Sequence, residues 1–168
     1  QFSAHEIDFD ELERSVRNVD HQVIDFTWLQ KIIGAGLVSV APMLLFKASW
    51  SDLALPFLLG IVGYLASQWG SKHSKSPYLS VIVGSLVIGL LANLLQYVGI
   101  ADSAANIIIG SLMPLVPGVP LTNSLREIID RDILSGLVRG IDAIMIAGSI
   151  GIGTIVGSFM AHILTGGI

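Results

Sequence analysis

The sequence predicts an all-α integral membrane protein with five transmembrane helices, preceded by an amphipathic cytoplasmic helix and with the fourth transmembrane helix broken by prolines. Three observations carry this. Apolar residues make up 52% of the 168-residue chain and charged ones 13%, with a mean hydropathy of +0.75, too apolar for a soluble domain of this size. The apolar residues come in long blocks rather than in stripes, the pattern of helices solvated by lipid. The basic residues segregate to one side once five such blocks are threaded through a bilayer.

Composition also excludes several chemistries. The chain has no cysteine, which rules out disulfides, thiol redox work and thiolate metal sites. His5, His21, His73 and His162 show no ligand spacing, so neither a metal nor a cofactor is expected. A formal net charge of −4 gives no basic footprint for nucleic acid. The first apolar block lies behind a charged segment, so no signal peptide is read. The chain starts at Gln1 rather than at methionine, and is expected to be a piece of a longer protein.

Residues 1–27 read as one cytoplasmic helix. Phe9, Leu12, Val16, Val19, Val23 and Phe26 recur at alternating spacings of three and four, which lays one apolar seam along a helix. Asp8 with Glu11 has the spacing of a capping box, and Asp10 and Glu13 place negative charge where the helix dipole favours it. Six acidic residues from Asp8 to Asp25 stand against Arg14 and Arg17, so the seam is expected to pack on protein rather than on anionic lipid.

The membrane domain is residues 28–168. Its first span covers 28–46, with Lys31 close enough to the interface to snorkel and Pro42 where a bundle tolerates a mild kink. The second, 53–69, has Trp50 and Trp69 at aromatic-belt positions. After the SKHSKSP loop, the third, 78–100, is the longest uninterrupted one and carries Asn93 and Gln96 one turn apart. The fourth, 104–122, contains Asn106 and then Pro114, Pro117 and Pro120; the fifth covers 137–163. This threading puts Arg14, Arg17, Lys31, Lys72, Lys75, Arg126, Arg131 and Arg139 on one side and only Lys47 on the other, eight of the nine basic residues. The amino terminus is thereby assigned to the cytoplasm and the carboxyl terminus to the outside of the plasma membrane.

Small residues mark where helices should touch, because close backbone approach drives association in lipid. Ser149, Gly153, Gly157 and Ala161 repeat every four residues in the fifth span, as do Ser85, Gly89 and Asn93 in the third. The glycines read either as packing positions or as hinges.

The stretch from Pro114 to Asp142 is the one place where prolines, a Thr122–Asn123 pair and alternating charges interrupt apolar sequence. Each proline removes a backbone donor and clashes with the carbonyl four residues earlier. Backbone groups freed at membrane depth must be buried in protein or line a watery cavity, and broken helices of this kind form binding sites in many transporters. A new helix is expected to begin after Asn123, capped by Thr122, Asn123 or Ser124, with Ser124 and Glu127 at capping-box spacing. Its amino terminus beside Arg126 would suit a carboxylate. A kinked helix leading into a short interfacial one fits the same residues. Arg139 and Asp142, one turn apart where the fifth span begins, read as a functional pair or as a snorkelling salt pair. Asn93, Gln96 and Asn106 fall at similar depth in the outer half. They either line a vestibule or hydrogen-bond between helices.

At PLVPG (Pro114–Gly118), Thr122–Asn123 with Arg126, and RDILSGLVRGIDA (Arg131–Ala143), the chain resembles the threonine/serine exporter family of bacteria and fungi, in its larger amino-terminal subunit or half. The patterns matched are PLVPG, TNxxRD and GDxxSGxxRxxEA, with Glu127 where aspartate is usual and Asp142 where glutamate is usual. The resemblance covers nearly the whole chain, and implies a further cytoplasmic segment upstream. It implies proton-coupled or gradient-driven export of small polar metabolites, either threonine and serine or dicarboxylates such as succinate. A smaller companion membrane subunit or homo-oligomer is implied as partner. Carried over residue by residue, Pro114, Pro117 and Gly118 form the break, Thr122 and Asn123 contact the substrate, and Arg126 meets its carboxylate. Asp130, Asp132, Arg139 and Asp142 serve gating or proton coupling, with Asp142 first among them for its depth and apolar neighbours.

The rival reading is a non-transporting scaffold subunit that docks a partner membrane protein. An intramembrane serine protease would need Ser149 or Ser111 with His162. Ser149 lies about 20 Å from His162 at 1.5 Å per residue on one helix, so no catalytic residues are assigned.

Overall fold

The computed structural model describes residues 27–45, 50–74 and 76–166. The helix expected over residues 1–27 lies outside them except for Thr27, as do Lys47 and Lys75. Helices α1 (Trp28–Leu45), α2 (Trp50–His73), α3 (Pro77–Tyr97), α4 (Ala104–Leu112), α5 (Gly118–Ile129) and α6 (Ile133–Leu164) follow one another. A single 3-10 turn, Met113–Leu115, extends α4. No strand occurs among the described residues, and Lys31–Ile168 form one compact unit.

Helix ends follow local chemistry. Thr27 N–H donates to Gln30 Oε1 at 2.8 Å, half of a capping box. Pro77 opens α3 at a first-turn position, where its missing N–H costs nothing. Three helices close on a left-handed residue: Gly99 (φ 79°), Gly166 (φ 73°) and Arg131 (φ 68°). After α5, Asp132 N–H bonds Glu127 O and Arg131 N–H bonds Ile128 O, a Schellman pair closed by an arginine where glycine is usual.

Helix α3 is the centre of the bundle. Its contacts with α2 run in opposite senses, Gly70 lying against Ser80 and Gly63 against Ile88. Helix α1 is likewise antiparallel to α2: Gly60 lies against Ser39 and Ala35, whereas Met43, further along α1, meets Gly110 beside the earlier Pro56. With α6 the relation is parallel. Tyr78 bonds Asp142 and Asn93 bonds Ser158, 64 and 65 positions apart, a constant offset that only parallel neighbours give. The expected small-residue faces meet here: Ser149, Gly153, Gly157 and Ala161 are all buried. A Cβ on Gly153 would fall 2.5 Å from Ile82 O, and one on Gly89 2.6 Å from Thr154 O. Backbone contact this close needs glycine. Ile88 sits fully buried with Leu115 and Ile150, joining α3, the 3-10 turn and α6.

Three helices are long and apolar enough to cross a membrane, Leu53–His73, Pro77–Tyr97 and Ile133–Leu164, or four if the bent pair Ala104–Leu115 and Gly118–Ile129 counts as one span. The 18 residues of α1 reach about 27 Å against a hydrocarbon core of about 30 Å, so length alone does not add a fifth. Two expected bounds move. The third span is not the longest: α6, with 32 residues, is longer and starts at Ile133 rather than 137, with Arg139 and Asp142 inside it as expected. The bound at 122 moves as well: the first helical segment ends at Leu115, and the chain turns 65° before the next runs from Gly118 to Ile129.

Candidate functional site

The interruption between α4 and α5 follows from proline spacing. Pro114 is the middle residue of the 3-10 turn, where an α-helical continuation would drive its ring into the Gly110 carbonyl. Val116 turns extended (φ −67°, ψ 129°) and donates its N–H to Met113 O at 3.2 Å. Pro117 takes the N-cap position of α5. Pro120 then falls in the first turn, where a missing N–H is harmless. This corrects the expected restart: the helix resumes at Gly118, not after Asn123, and none of Thr122, Asn123 or Ser124 caps it.

Two of those side chains have other partners. Thr122 Oγ1 donates back to Gly118 O at 3.0 Å. Ser124, buried, donates to Gly136 O at 2.6 Å and so fastens α5 to α6. Arg126 stands in the last turn of α5, not beside a helix amino terminus as expected. Its side chain is 83% exposed, with Asp130 at 4.0 Å, a pair of little energetic weight. Asp132 occupies the N-cap position of α6 without a side-chain cap bond.

The interruption borders a cavity of about 340 Å³ lined by Lys31, Gly34, Ala35, Val38, Tyr64, Met113 and Pro114. Lys31 and Tyr64 were not among the expected site residues, and Lys31 was read only as snorkelling. The Tyr64 hydroxyl accepts from Gln68 Nε2 at 2.9 Å. A Cβ on Gly118 would meet nothing within 4 Å, so the chain past the break is open on that side.

A second polar group ties α5, α6 and α3 together. Arg139 Nε lies 2.8 Å from Glu127 Oε1, and Tyr78 donates its hydroxyl to Asp142 Oδ1 at 2.7 Å. The Arg139–Asp142 salt pair is therefore replaced by two cross-helix partnerships. Since Tyr78 is the second residue of α3, Asp142 lies level with the end of α3 rather than deep along it. Glu127 Oε2 is buried without a partner among the described residues. Tyr78 and Glu127 were missed; an acid inside a long apolar helix needs a donor, and Tyr78, the only hydroxylated aromatic at the start of a span, was the available signal.

The remaining candidates lie elsewhere. Asn93 donates to Gly89 O at 2.7 Å and to Ser158 Oγ at 2.9 Å, bridging α3 and α6. With Gln96 it lines a different cavity, about 22 Å along α3 from Tyr78 at 1.5 Å per residue. Asn106 does not line it; exposed on α4, its backbone N–H meets the capping Ser103 Oγ at 3.5 Å. No group of residues among those described could hold a metal ion.

Long apolar helices packed through small residues, one pair sharply bent at prolines beside a polar-edged cavity, define a polytopic helical membrane protein. Among known families, the model described as "Putative threonine/serine exporter" (ThrE) matches residues 1–161. The chain belongs to this family of transporters. No curated protein and no solved structure matches it.

Proposed function

We propose that the chain exports small carboxylate-bearing metabolites, threonine or serine or a dicarboxylate such as succinate, out of the cytoplasm across the plasma membrane, driven by a proton or other gradient. The observation that carries the site is the cavity where Lys31 and Tyr64 face the interruption at Met113 and Pro114. A cation and a hydroxyl beside an interrupted helix are the groups a substrate carboxylate needs. Arg126, on the exposed face of α5 with only a long contact to Asp130, is free to meet the same carboxylate on its way in. Thr122 and Asn123 lie between the two cations along the chain. Tyr78–Asp142 holds the α5–α6 hairpin to α3, Glu127–Arg139 holds its two arms together, and the two pairs act as its gate. A proton on Asp142 weakens the bond it accepts from Tyr78, and Asp130 and Asp132 bracket the turn about which the hairpin moves. A smaller companion membrane subunit, or further copies of the chain, completes the transporter.

Helix direction supports five crossings with the amino terminus inside. If α3 and α6 both cross in the same sense, the chain between them must return through the bilayer, and the bent α4–α5 pair is the segment available. Antiparallel α2 and α1 bring the count to five. Ser71, exposed in the last turn of α2, then lies in the cytoplasm. In a chain without native cysteine, Ser71→Cys should resist a membrane-impermeant maleimide in intact cells and react after permeabilisation; labelling from outside would reverse the topology.

The activity is tested by efflux of preloaded labelled threonine and succinate from cells making the full-length protein, with and without a companion subunit. Lys31→Ala and Arg126→Ala should each lower export at least tenfold while the protein still inserts. Loss in Arg126→Ala alone moves the carboxylate contact to α5. Export of neither substrate by the inserted wild type sinks the transporter reading in favour of the scaffold.

A further inference from the structure

At the opposite end of the α3–α6 pair from Tyr78, the two parallel helices finish side by side, α3 at Tyr97 and α6 at Leu164. Between them lies a cavity of about 240 Å³ lined by Asn93, Gln96, Tyr97, Ala161, His162 and Thr165. All but Ala161 are polar or carry a polar tip, which is unusual where two apolar helices meet. The space exceeds what a single water needs and admits a small metabolite.

The donors and acceptors are already partly committed. Asn93 spends both amide hydrogens on Gly89 O and Ser158 Oγ, so it offers a ligand its Oδ1 acceptor. Thr165 donates its hydroxyl to Ala161 O at 3.0 Å, so it too offers an acceptor. The negative ends of two helix dipoles lie at this place, and both favour positive charge. His162 and Tyr97 supply the donors: an imidazole N–H and a phenol O–H.

We propose that this cavity is a second ligand site, distinct from the one at the helix interruption, which binds a small zwitterion with its ammonium group toward Asn93, Thr165 and the helix ends and its carboxylate toward His162 and Tyr97. A dicarboxylate is disfavoured, because its second carboxylate would face acceptors and the negative helix ends. This deepens the exporter reading and rests on it: the site receives an amino acid on the release side.

The test uses the full-length protein in nanodiscs, carrying an environment-sensitive maleimide fluorophore at Leu164→Cys, an exposed position beside the cavity. Threonine should give a saturable signal, succinate none. His162→Ala should raise the threonine midpoint at least tenfold, and His162→Gln, which keeps an N–H donor, should stay within about threefold of wild type. No saturable signal, an equal response to succinate, or an unshifted midpoint in His162→Ala overturns the site. Efflux separates the two readings. A wild type that gives the signal but exports nothing refutes export and keeps the site; one that exports without the signal does the reverse.

Discussion

Leucine at Gly153 or Gly157 should leave no correctly packed protein. A first carbon at Gly153 already falls 2.5 Å from Ile82 O, and one at Gly157 2.9 Å from Leu90 N. Those neighbours are backbone, which cannot rotate away as a side chain can. Overpacking a well-packed interior typically costs about 1–3 kcal/mol, and a whole leucine driven into a backbone–backbone contact belongs at or above that range. The control lies on the same helix, since a Cβ on Gly148 or Gly151 would meet nothing within 4 Å. Gly151→Leu should therefore extract as a single species and export as wild type, whereas Gly153→Leu and Gly157→Leu should aggregate on size exclusion and export nothing. If all three behave alike, α3 and α6 do not pack as described. The hinge reading of these glycines predicts the opposite pattern, with export lost from a protein that still folds.

What the sequence revealed depended on how local the cause was. The apolar blocks and the small-residue face of α6 are periodic properties, and each stood in the sequence. The restart at Gly118 was misplaced because Thr122, Asn123 and Ser124 are all capping residue types and drew the boundary to themselves, past Pro120. In the first turn of a helix a proline breaks nothing. The partners of charged residues were the least legible. Arg139 and Asp142 are three positions apart and invite pairing along one helix, yet Glu127 and Tyr78 come in from α5 and α3 and take them separately. Lys31 escaped attention because a cation near a span's end has a sufficient local explanation, and only the fold of α1 against the interruption brings it to a cavity. Asn93 was correctly seen as able to bond between helices, while its partner Ser158 became visible only once the parallel register was known.

Exchanging the charges of Glu127 and Arg139 should separate gating from recognition. The two atoms are 2.8 Å apart, and the Glu127 side chain is 25% exposed against 53% for Arg139. The pair therefore lies between an exposed ion pair, worth about 0–1 kcal/mol, and a buried one whose breaking costs about 3–5 kcal/mol. Its loss is made worse by the second oxygen of Glu127, which is buried and has no partner among the described residues. Glu127→Arg places two guanidinium groups together and Arg139→Glu two carboxylates, so each single variant should unlatch α5 from α6 and lower export at least tenfold. The double variant restores opposite charges across the same gap and should recover export to within about threefold of wild type. Arg126→Glu is the comparison. Paired with Asp130 only at 4.0 Å and 83% exposed, it should change thermal stability by less than about 0.5 kcal/mol, so any loss of export there comes from recognition. If the double exchange stays as inactive as the single ones, charge complementarity is not what these residues contribute. One of them then meets the substrate directly, and the gate must rest on Tyr78 and Asp142 alone.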